Sequence, residues 1–291
     1  MSEHEKSRSV QILVAYHRPA KLIENTVCTP IHAGRALGGS PDKDGAIDER
    51  SLNWLKTSMI GDDTGDNISH LNRHFCEVTA HYWAWKNQPA LGSPDHIGVM
   101  QYRRHLVFRD KLEIPPLPWE KRFPDNVMRF PAVNGAYLRN IGLDEENILP
   151  HLQGADIIAM QPRLSPGESV REFYLNKIVP WADQRPESLE LMEEIIRQAY
   201  PEYAAAAERY LAGCAHLECS TYIMRKELFA EHMAFVHGVL EEFERRYDYS
   251  GCSIKGHRAC SYLAERLHGI FVSKSAQEGR QVTFRPMTFI E

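Results

Sequence analysis

The seven residues at 10–16, with the sequence VQILVAY, form a short run in which nearly every position is apolar. A strand with one face in water alternates apolar and polar residues, whereas a strand covered on both faces is apolar throughout. Pro19 follows shortly afterwards and forces a turn. The chain must therefore fold so that helices or other elements cover both faces of a sheet.

Further apolar runs alternate with stretches of helical periodicity. The other strand candidates are the runs at 97–108, 155–160 and 219–224. Helix candidates have apolar residues three or four positions apart, and they cover residues 70–87, 188–199, 229–247 and 257–268. Asn67 or Ser69 can cap the first of these helices. Strands that alternate with helices predict an α/β fold with a mainly parallel central sheet flanked by helices.

The 291 residues show no internal repeat and no clear linker, and 43% are hydrophobic, which is enough for one packed core. We therefore expect a single domain over 1–291, with an N-terminal tail at 1–9 and a C-terminal tail at 274–291. The glycine-rich stretch 34–50 is predicted to be a surface loop. The Pro-rich stretch 115–131 is predicted to be a long loop inserted into the domain.

Composition limits the partners and the compartment. The chain has 34 basic and 39 acidic residues and a net charge of -5, so it has no overall basic field that would attract nucleic acid. No run of 18 apolar residues and no secretory leader is present, which predicts a cytoplasmic protein. The six cysteines are scattered without a C-x-x-C pair, so we expect reduced thiols.

Three basic side chains, Arg103, Arg104 and His105, follow the buried run IGVMQY. Desolvating cations is costly unless a protein carboxylate or a bound anion meets them, and the sequence leaves both alternatives open. Ligands of open α/β sheets bind at the carboxyl ends of strands, which favours an anion site here. If the chain stays extended, the two arginines point to opposite faces, and only one of them faces the ligand.

The acidic stretch GDDTGDN contains Asp62, Asp63, Asp66 and Asn67. It fits a tight turn that caps a helix, a contact to a nucleotide, or a metal site, although its spacing is not that of a calcium loop. A second polar group follows the first strand, where His17 and Lys21 are either surface residues or ligand contacts.

The last predicted helix has a polar stripe at spacings of three, four and three, formed by Arg258, Ser261, Glu265 and His268. Such a stripe is either a solvated face or one side of a binding site.

Several sequence blocks together resemble a known family: MIGDDTGDNIS, CEVTAHYWAWKN, IGVMQYRRHL, YIMRKELF and SYLAERL. The chain resembles, from about residue 12 to 272, bacterial capsular-polysaccharide and exopolysaccharide biosynthesis proteins. This family was long filed as a domain of unknown function and is grouped with GT-A-type glycosyltransferases, including galactofuranosyltransferases. The run HLECSTYIM departs from the family pattern, which puts the choice of donor or acceptor in doubt.

The resemblance implies a GT-A-like inverting glycosyltransferase that moves galactofuranose or another hexose from a UDP-sugar to an oligosaccharide or lipid-linked glycan. Peripheral contact with the cytoplasmic membrane would bring it to such an acceptor. Glu265 would be the catalytic base, and the donor diphosphate would be bound by Arg103, Arg104 and His105 in place of a metal. The expected nucleotide contacts are His17, Lys21, Asp62, Asp63 and Asn67. No cofactor is expected, while a need for Mn²⁺ or Mg²⁺ stays open.

Two other functions remain compatible with the sequence. One is a non-catalytic sugar- or nucleotide-binding module of a polysaccharide-assembly complex. The other is a metal-dependent phosphotransferase or nucleotidyltransferase that uses the same anion site and the aspartates.

Overall fold

The structure is a computed structural model that describes residues 9–41 and 45–291. Within these residues the strands are β1 (Val10–Tyr16), β2 (Cys28–His32), β3 (Ile60–Gly61), β4 (His96–Gln101), β5 (Arg104–Leu106), β6 (Val127–Phe130), β7 (Ile157–Met160), β8 (Arg163–Leu164), β9 (Ala215–His216), β10 (Tyr222–Arg225), β11 (Val282–Arg285) and β12 (Met287–Ile290).

The strands form one large sheet with the order β11-β7-β10-β4-β1-β2-β3, to which β5, β6 and β12 are added beyond the end of β4. Neighbouring strands from β4 to β3 are parallel, and so are β11 and β7. Only β10 runs against both of its neighbours in the main path. The small ladder of β8 and β9 lies outside this sheet.

The helices of the described chain are α1 (Glu49–Ser58), α2 (Asn72–Phe75), α3 (Val78–Lys86), α4 (Gly135–Ile141), α5 (Glu145–Leu152), α6 (Val170–Phe173), α7 (Val179–Ala182), α8 (Glu187–Ala199), α9 (Pro201–Ala212), α10 (Lys226–Arg246) and α11 (Ala259–Gln277). Helices α3 and α10 pack on β1, β4 and β10, while α8, α9, α10 and α11 pack on one another. The predicted fold class, a mainly parallel sheet flanked by helices, is confirmed.

The burial of β1 agrees with its apolar sequence. Every residue of β1 is buried, as its apolar sequence predicts. Beside it Gly98 of β4 fits where a larger residue would not: a Cβ there would lie 2.9 Å from side-chain atoms of Ile12 and Ile223 on the two flanking strands. This close approach lets β1, β4 and β10 pack side by side under the helices.

Three predicted elements differ in the structure. The run 97–108 is not one strand, because β4 ends at Gln101 and the chain reverses through Tyr102 and Arg103 into antiparallel β5. The predicted helix 70–87 is split at Cys76, whose φ of 49° breaks the helical path. The last helix continues beyond residue 268 to Gln277.

Residues at the chain end and in the Pro-rich stretch are more ordered than predicted. The expected C-terminal tail at 274–291 instead completes α11 and supplies β11 and β12. The Pro-rich stretch 115–131 is largely irregular, but it contains β6, which pairs in parallel with β12. Partner strands far away in sequence stabilise both segments, so local patterns could not predict them. Residues 1–8 of the expected N-terminal tail and residues 42–44 of the glycine-rich loop lie outside the described residues.

A cluster of buried histidines fills the space between β10, α3, α10 and α11. His232 Nε2 lies 3.3 Å from His268 Nδ1, and the ring of His268 stacks on Tyr222 at 4.5 Å. His81 contacts the same tyrosine edge-on. Burial lowers the pKa of His81 and of His268 to about 3, so these rings are neutral in the folded protein.

We predict that this cluster makes the protein sensitive to acid. Because the folded pKa is depressed, the unfolded chain binds more protons below about pH 6.5, and stability falls from there down to about pH 3. Urea unfolding from pH 7.5 to 4.5 should show a shallower pH dependence for His268→Gln, by up to about 1.4 kcal/mol per pH unit. The exposed His70→Gln is the control; a slope equal to wild type in the His268 variant would contradict the prediction.

Candidate active site

A cavity of about 540 Å³ opens where β1, β2 and β4 end. Tyr16, His32 and Gln101, the last residues of these three strands, all line it. Much of the remaining wall comes from the loop after β2, the β4–β5 hairpin, the N-terminal part of α11, the α2–α3 junction and the α7 region. Ligands of open parallel sheets bind in this position because the strand ends and the following loops converge there.

The charge of the cavity is uneven. Two carboxylates, Glu77 and Glu265, line it. The cationic side chains in its wall are more numerous: Arg18, Arg73, Arg103, Arg104, Lys255 and Arg258. An excess of cations in a concave, partly desolvated site favours an anionic ligand.

Arg103 and Arg104 both line the cavity, which corrects the expectation for an extended chain. Arg103 sits in the hairpin turn, where its Nε donates to the Ile290 carbonyl at 2.8 Å and its guanidinium lies 4.5 Å from the Phe289 ring centroid. Arg104 donates to Gln101, whose Nε2 in turn donates to Glu77 Oε1 at 2.7 Å.

Neither arginine forms an ion pair with a carboxylate among residues 9–41 and 45–291. Arg258 has none either in this part of the chain; its Nε donates to Cys76 Sγ at 2.9 Å and its Nη1 to the Tyr262 hydroxyl at 3.3 Å. These contacts hold the guanidinium groups in place without direct carboxylate pairing, while the field of Cys219, Glu265 and Glu77 raises the pKa of Arg104. The internal-pairing alternative predicts direct ion pairs, and the described residues provide none for these three arginines.

The polar stripe of the last helix belongs mainly to this cavity. Arg258, Ser261 and Glu265 line it, which contradicts the solvated-face interpretation. The fourth member, His268, is buried in the histidine cluster instead. Arg258 directly precedes α11, and Ser261 and Glu265 lie on the first turns of that helix, so a cation and a carboxylate face the same cavity.

Glu265 is held by two contacts. The Cys219 N–H donates to its Oε1 at 2.9 Å, and Arg266 Nη2 donates to its Oε2 at 2.7 Å. Burial raises the pKa of Glu265 above its ordinary value, with the Arg266 charge acting in the opposite direction. A carboxylate with a raised pKa, fixed at the edge of a cavity, can accept a proton from a bound ligand.

His105 lies outside the cavity lining. Its ring is fully buried behind the hairpin, and Nδ1 lies 2.7 Å from the Tyr137 hydroxyl. Burial lowers its pKa to about 3, so it carries no positive charge near neutral pH. The alternation along β5 turns Arg104 to the cavity and the next residue into the core, and His105 is therefore left out of the site.

Asp62 holds the backbone of the site together but does not line the cavity. It is fully buried and accepts four hydrogen bonds, from Gly34 N at 2.7 Å, Arg35 N at 3.1 Å, Ser69 Oγ at 2.5 Å and Thr79 Oγ1 at 2.6 Å. Burial raises the pKa of Asp62, and these hydrogen bonds act against that rise. The carboxylate thereby fixes the loop after β2, including Gly34, which does line the cavity.

The other acidic-turn residues also lie outside the cavity lining. Asp63 pairs with Arg35 at 3.6 Å, Asp66 accepts from the Tyr82 hydroxyl at 3.0 Å, and Asn67 Oδ1 accepts from Ser69 N at 3.3 Å. Within the described residues no group of three or more His, Cys, Asp or Glu side chains could hold a metal ion. Asp62 and Asp66 accept hydrogen bonds from protein donors, whereas Asp63 has only its ion pair with Arg35, so the three carboxylates do not converge on one cation.

The two candidate nucleotide contacts after β1, His17 and Lys21, lie in different surroundings. His17 lines the cavity and packs edge-on against Tyr102 at 5.3 Å. Lys21 is exposed and does not line it.

His32 was not identified from the sequence. It is 5% exposed at the end of β2, it lines the cavity, and its Nδ1 has no hydrogen-bond partner among the described residues. Burial lowers its pKa to about 4, so the ring is neutral and offers a free nitrogen to a ligand. Ile31, just before His32 in PIHAG, was the available signal for a strand. Thr29 and Pro30 interrupt the apolar run, so the sequence did not predict β2.

Residues 11–277 match a family described as a domain of unknown function, DUF4422. This range contains all of the cavity lining except Phe289. The chain belongs to the DUF4422 family. No curated protein matches it.

This DUF4422 chain is also similar to a solved structure, the apo form of WbbM, which is described as a bifunctional glycosyltransferase. The TM-score is 0.79 at 27% sequence identity, and the match covers 98% of this chain but 46% of the WbbM chain. The chain thus spans about half the length of that protein. In the described residues, no helix has both the length and the apolar character needed to cross a membrane.

We predict that Asp62 contributes strongly to stability and that its neighbour does not. In Asp62→Asn an amide NH₂ group would face donors, so the free energy of unfolding should fall by about 1–3 kcal/mol. Asp63→Asn removes only a half-exposed ion pair and should cost at most about 1 kcal/mol. Urea titration of both variants provides the comparison, and equal losses would contradict the assignment.

Proposed function

We propose that this chain is a glycosyltransferase that moves a sugar from a nucleotide-sugar donor to a hydroxyl group of a glycan. One observation carries the proposal: Arg103, Arg104 and Arg258, which form no carboxylate ion pair within the described residues, line the same cavity as the carboxylate of Glu265. The first feature suits a diphosphate leaving group, and the second suits an acceptor hydroxyl. The similarity to WbbM supports the same class of reaction.

The proposed donor is a UDP-sugar, with the nucleoside near the ends of β1 and β2. His17, His32 and Gly34 line this part of the cavity. The unpartnered Nδ1 of His32 would accept a hydrogen bond from a ribose hydroxyl or a base N–H. Of the five nucleotide contacts expected from the sequence, His17 is kept, whereas the structure offers no contact for Lys21, Asp62, Asp63 or Asn67.

The proposed reaction inverts the anomeric carbon. The acceptor oxygen forms a bond to that carbon while the bond to the donor phosphate oxygen breaks, and the electron pair of the broken bond stays on the phosphate. Glu265 takes the hydroxyl proton. Arg103, Arg104 and Arg258 stabilise the charge that develops on the leaving diphosphate, the task that a metal performs in other enzymes.

The finer features of the proposal come from the family resemblance. They are a galactofuranose or other hexose donor, an oligosaccharide or lipid-linked glycan acceptor, and a role in capsular polysaccharide, exopolysaccharide or O-antigen synthesis at the cytoplasmic face of the membrane. A panel of UDP-sugars and glycan acceptors tests them, with formation of the free nucleoside diphosphate as the readout.

We predict that Arg104→Gln weakens binding of UDP by about 10- to 100-fold, because one charge-assisted contact to a phosphate is lost. Binding of uridine, which has no phosphate, should stay unchanged. Isothermal titration calorimetry in the presence of EDTA measures both. Arg109→Gln, which changes a cation of the same segment that pairs with Glu113 outside the cavity, should bind UDP like wild type.

Two results would contradict the diphosphate assignment. One is an equal loss for UDP and uridine, which indicates a general distortion of the site. The other is UDP binding that EDTA abolishes and Mn²⁺ restores, which would assign the charge compensation to a metal.

We predict that Glu265→Gln keeps UDP affinity within about twofold and lowers turnover by at least about 100-fold, because the proton acceptor is lost. In wild type, kcat/KM should rise with pH through the raised pKa of Glu265, since the carboxylate must be deprotonated to act. Donor consumption with and without acceptor, followed from pH 4.5 to 8, measures this dependence.

Stability must be measured in parallel, because Glu265 pairs with the buried Arg266. The matched control is Glu193→Gln, which breaks a comparable half-buried pair with Arg171 far from the cavity lining. It should lose some stability and keep its turnover. Wild-type turnover in Glu265→Gln would remove this residue from the mechanism.

A further inference from the structure

Two large hydrophobic side chains stay exposed at the rim of the cavity. Trp181 is 56% exposed and Ile254 is 51% exposed, and both line the opening. Exposed apolar groups beside a polar cavity generally mark a contact surface for a ligand. Neither residue has a part in the diphosphate or proton-transfer steps described above.

The segment that carries Trp181 is held in an unusual conformation. A π-helical turn at Tyr174–Ile178 leads directly into α7, and Asp183 ends that helix with a left-handed φ of 54°. Buried Tyr174 anchors the turn, because its hydroxyl donates to Gln184 Oε1 at 2.8 Å. π-Helical turns and left-handed non-glycine residues both cost energy and are frequent at functional sites.

The loop that carries Ile254 is fastened to this segment. Ser253 N donates to Asp183 Oδ2 at 3.2 Å. A Cβ on Gly256 would lie 2.4 Å from the Asp183 carbonyl oxygen, so only glycine allows this approach. Trp181 and Ile254 are therefore presented together at one edge of the cavity.

The tryptophan is also connected to the proposed base. Its ring packs edge-on against Tyr262 at 5.9 Å, and Lys255 Nζ lies 4.9 Å from the Trp181 ring centroid. Tyr262 precedes Glu265 by three residues on α11, so the two residues share a helical face. Because the two rings are nearly perpendicular and Tyr262 is only 8% exposed, Tyr262 supports Trp181 edge-on, and Trp181 is the ring on which a ligand can stack.

We propose that the exposed ring of Trp181 forms a stacking platform for the sugar ring of the acceptor, with Lys255 and Ser261 bonding its hydroxyl groups. The inference rests on the proposed function and assigns the acceptor end of the cavity to a carbohydrate. A sugar ring has an apolar C–H face and a perimeter of hydroxyl groups, which matches a small aromatic surface bordered by Lys255, Arg258, Ser261 and Glu265.

The test measures sugar binding without turnover. Saturation-transfer NMR with methyl glycopyranosides of galactose, glucose, mannose and rhamnose, recorded with UDP bound, is expected to detect binding to wild type. Trp181→Ala should weaken the binding of the best glycoside by at least about fivefold, and Trp181→Phe should give an intermediate value. UDP affinity should be unchanged in both variants.

Trp119→Ala is the matched control, because Trp119 is 55% exposed but lies in the Pro-rich loop outside the cavity lining. It should bind the glycosides like wild type. Since the readout is binding, a failure of the glycosyltransferase proposal is seen separately, as an absence of turnover with glycoside binding retained.

Three outcomes would overturn the inference. Sugar binding in Trp181→Ala equal to wild type removes the tryptophan from the subsite. Loss of UDP affinity in the same variant with sugar binding retained makes the platform a stacking site for the nucleobase. Failure of every glycoside to bind wild type shows that the platform does not recognise sugar rings.

Discussion

The candidate site depends on one constraint, the desolvation cost of the guanidinium groups placed at the end of β4. Arg103 and Arg104 are partly withdrawn from water, yet the described chain gives them carbonyl, amide and aromatic contacts rather than carboxylate partners. A protein that only needed to neutralise these charges would pair them with Asp or Glu, as it does for Arg171 and Arg266 elsewhere. This difference is the physical basis of the proposal that an anion binds in the cavity.

The acidic turn after β3 shows how a charged motif can have a structural role. Asp62 accepts hydrogen bonds from two backbone N–H groups and two hydroxyl groups. These bonds connect the loop after β2 to the start of α3. A carboxylate suits this place because it accepts at both oxygens and donates nothing. Its influence on a ligand is indirect, through the position of Gly34.

Local patterns predicted the parts of the fold that local forces determine. The apolar run of β1 and the periodicity of α8 and α10 appear in the structure at nearly the predicted bounds. The hairpin at Tyr102 and Arg103 is local, but neither of its two turn residues is one that typically marks a turn. The strand β12 and the burial of His105 depend on partners far along the chain, which no window of sequence contains. The same applies to His32, whose importance depends on the neighbouring ends of β1 and β4 rather than on its own surroundings in sequence.

The contact between Arg103 and the carbonyl of Ile290 joins residues 187 positions apart. Closing so long a loop costs chain entropy before any favourable interaction is gained, and contacts of this range slow folding. The contact of Arg103 is complete only when β12 has docked on the hairpin, and shorter-range pairs such as β1 with β2 close much smaller loops. A partly folded molecule can therefore contain most of the sheet while Arg103 still lacks its contact with β12.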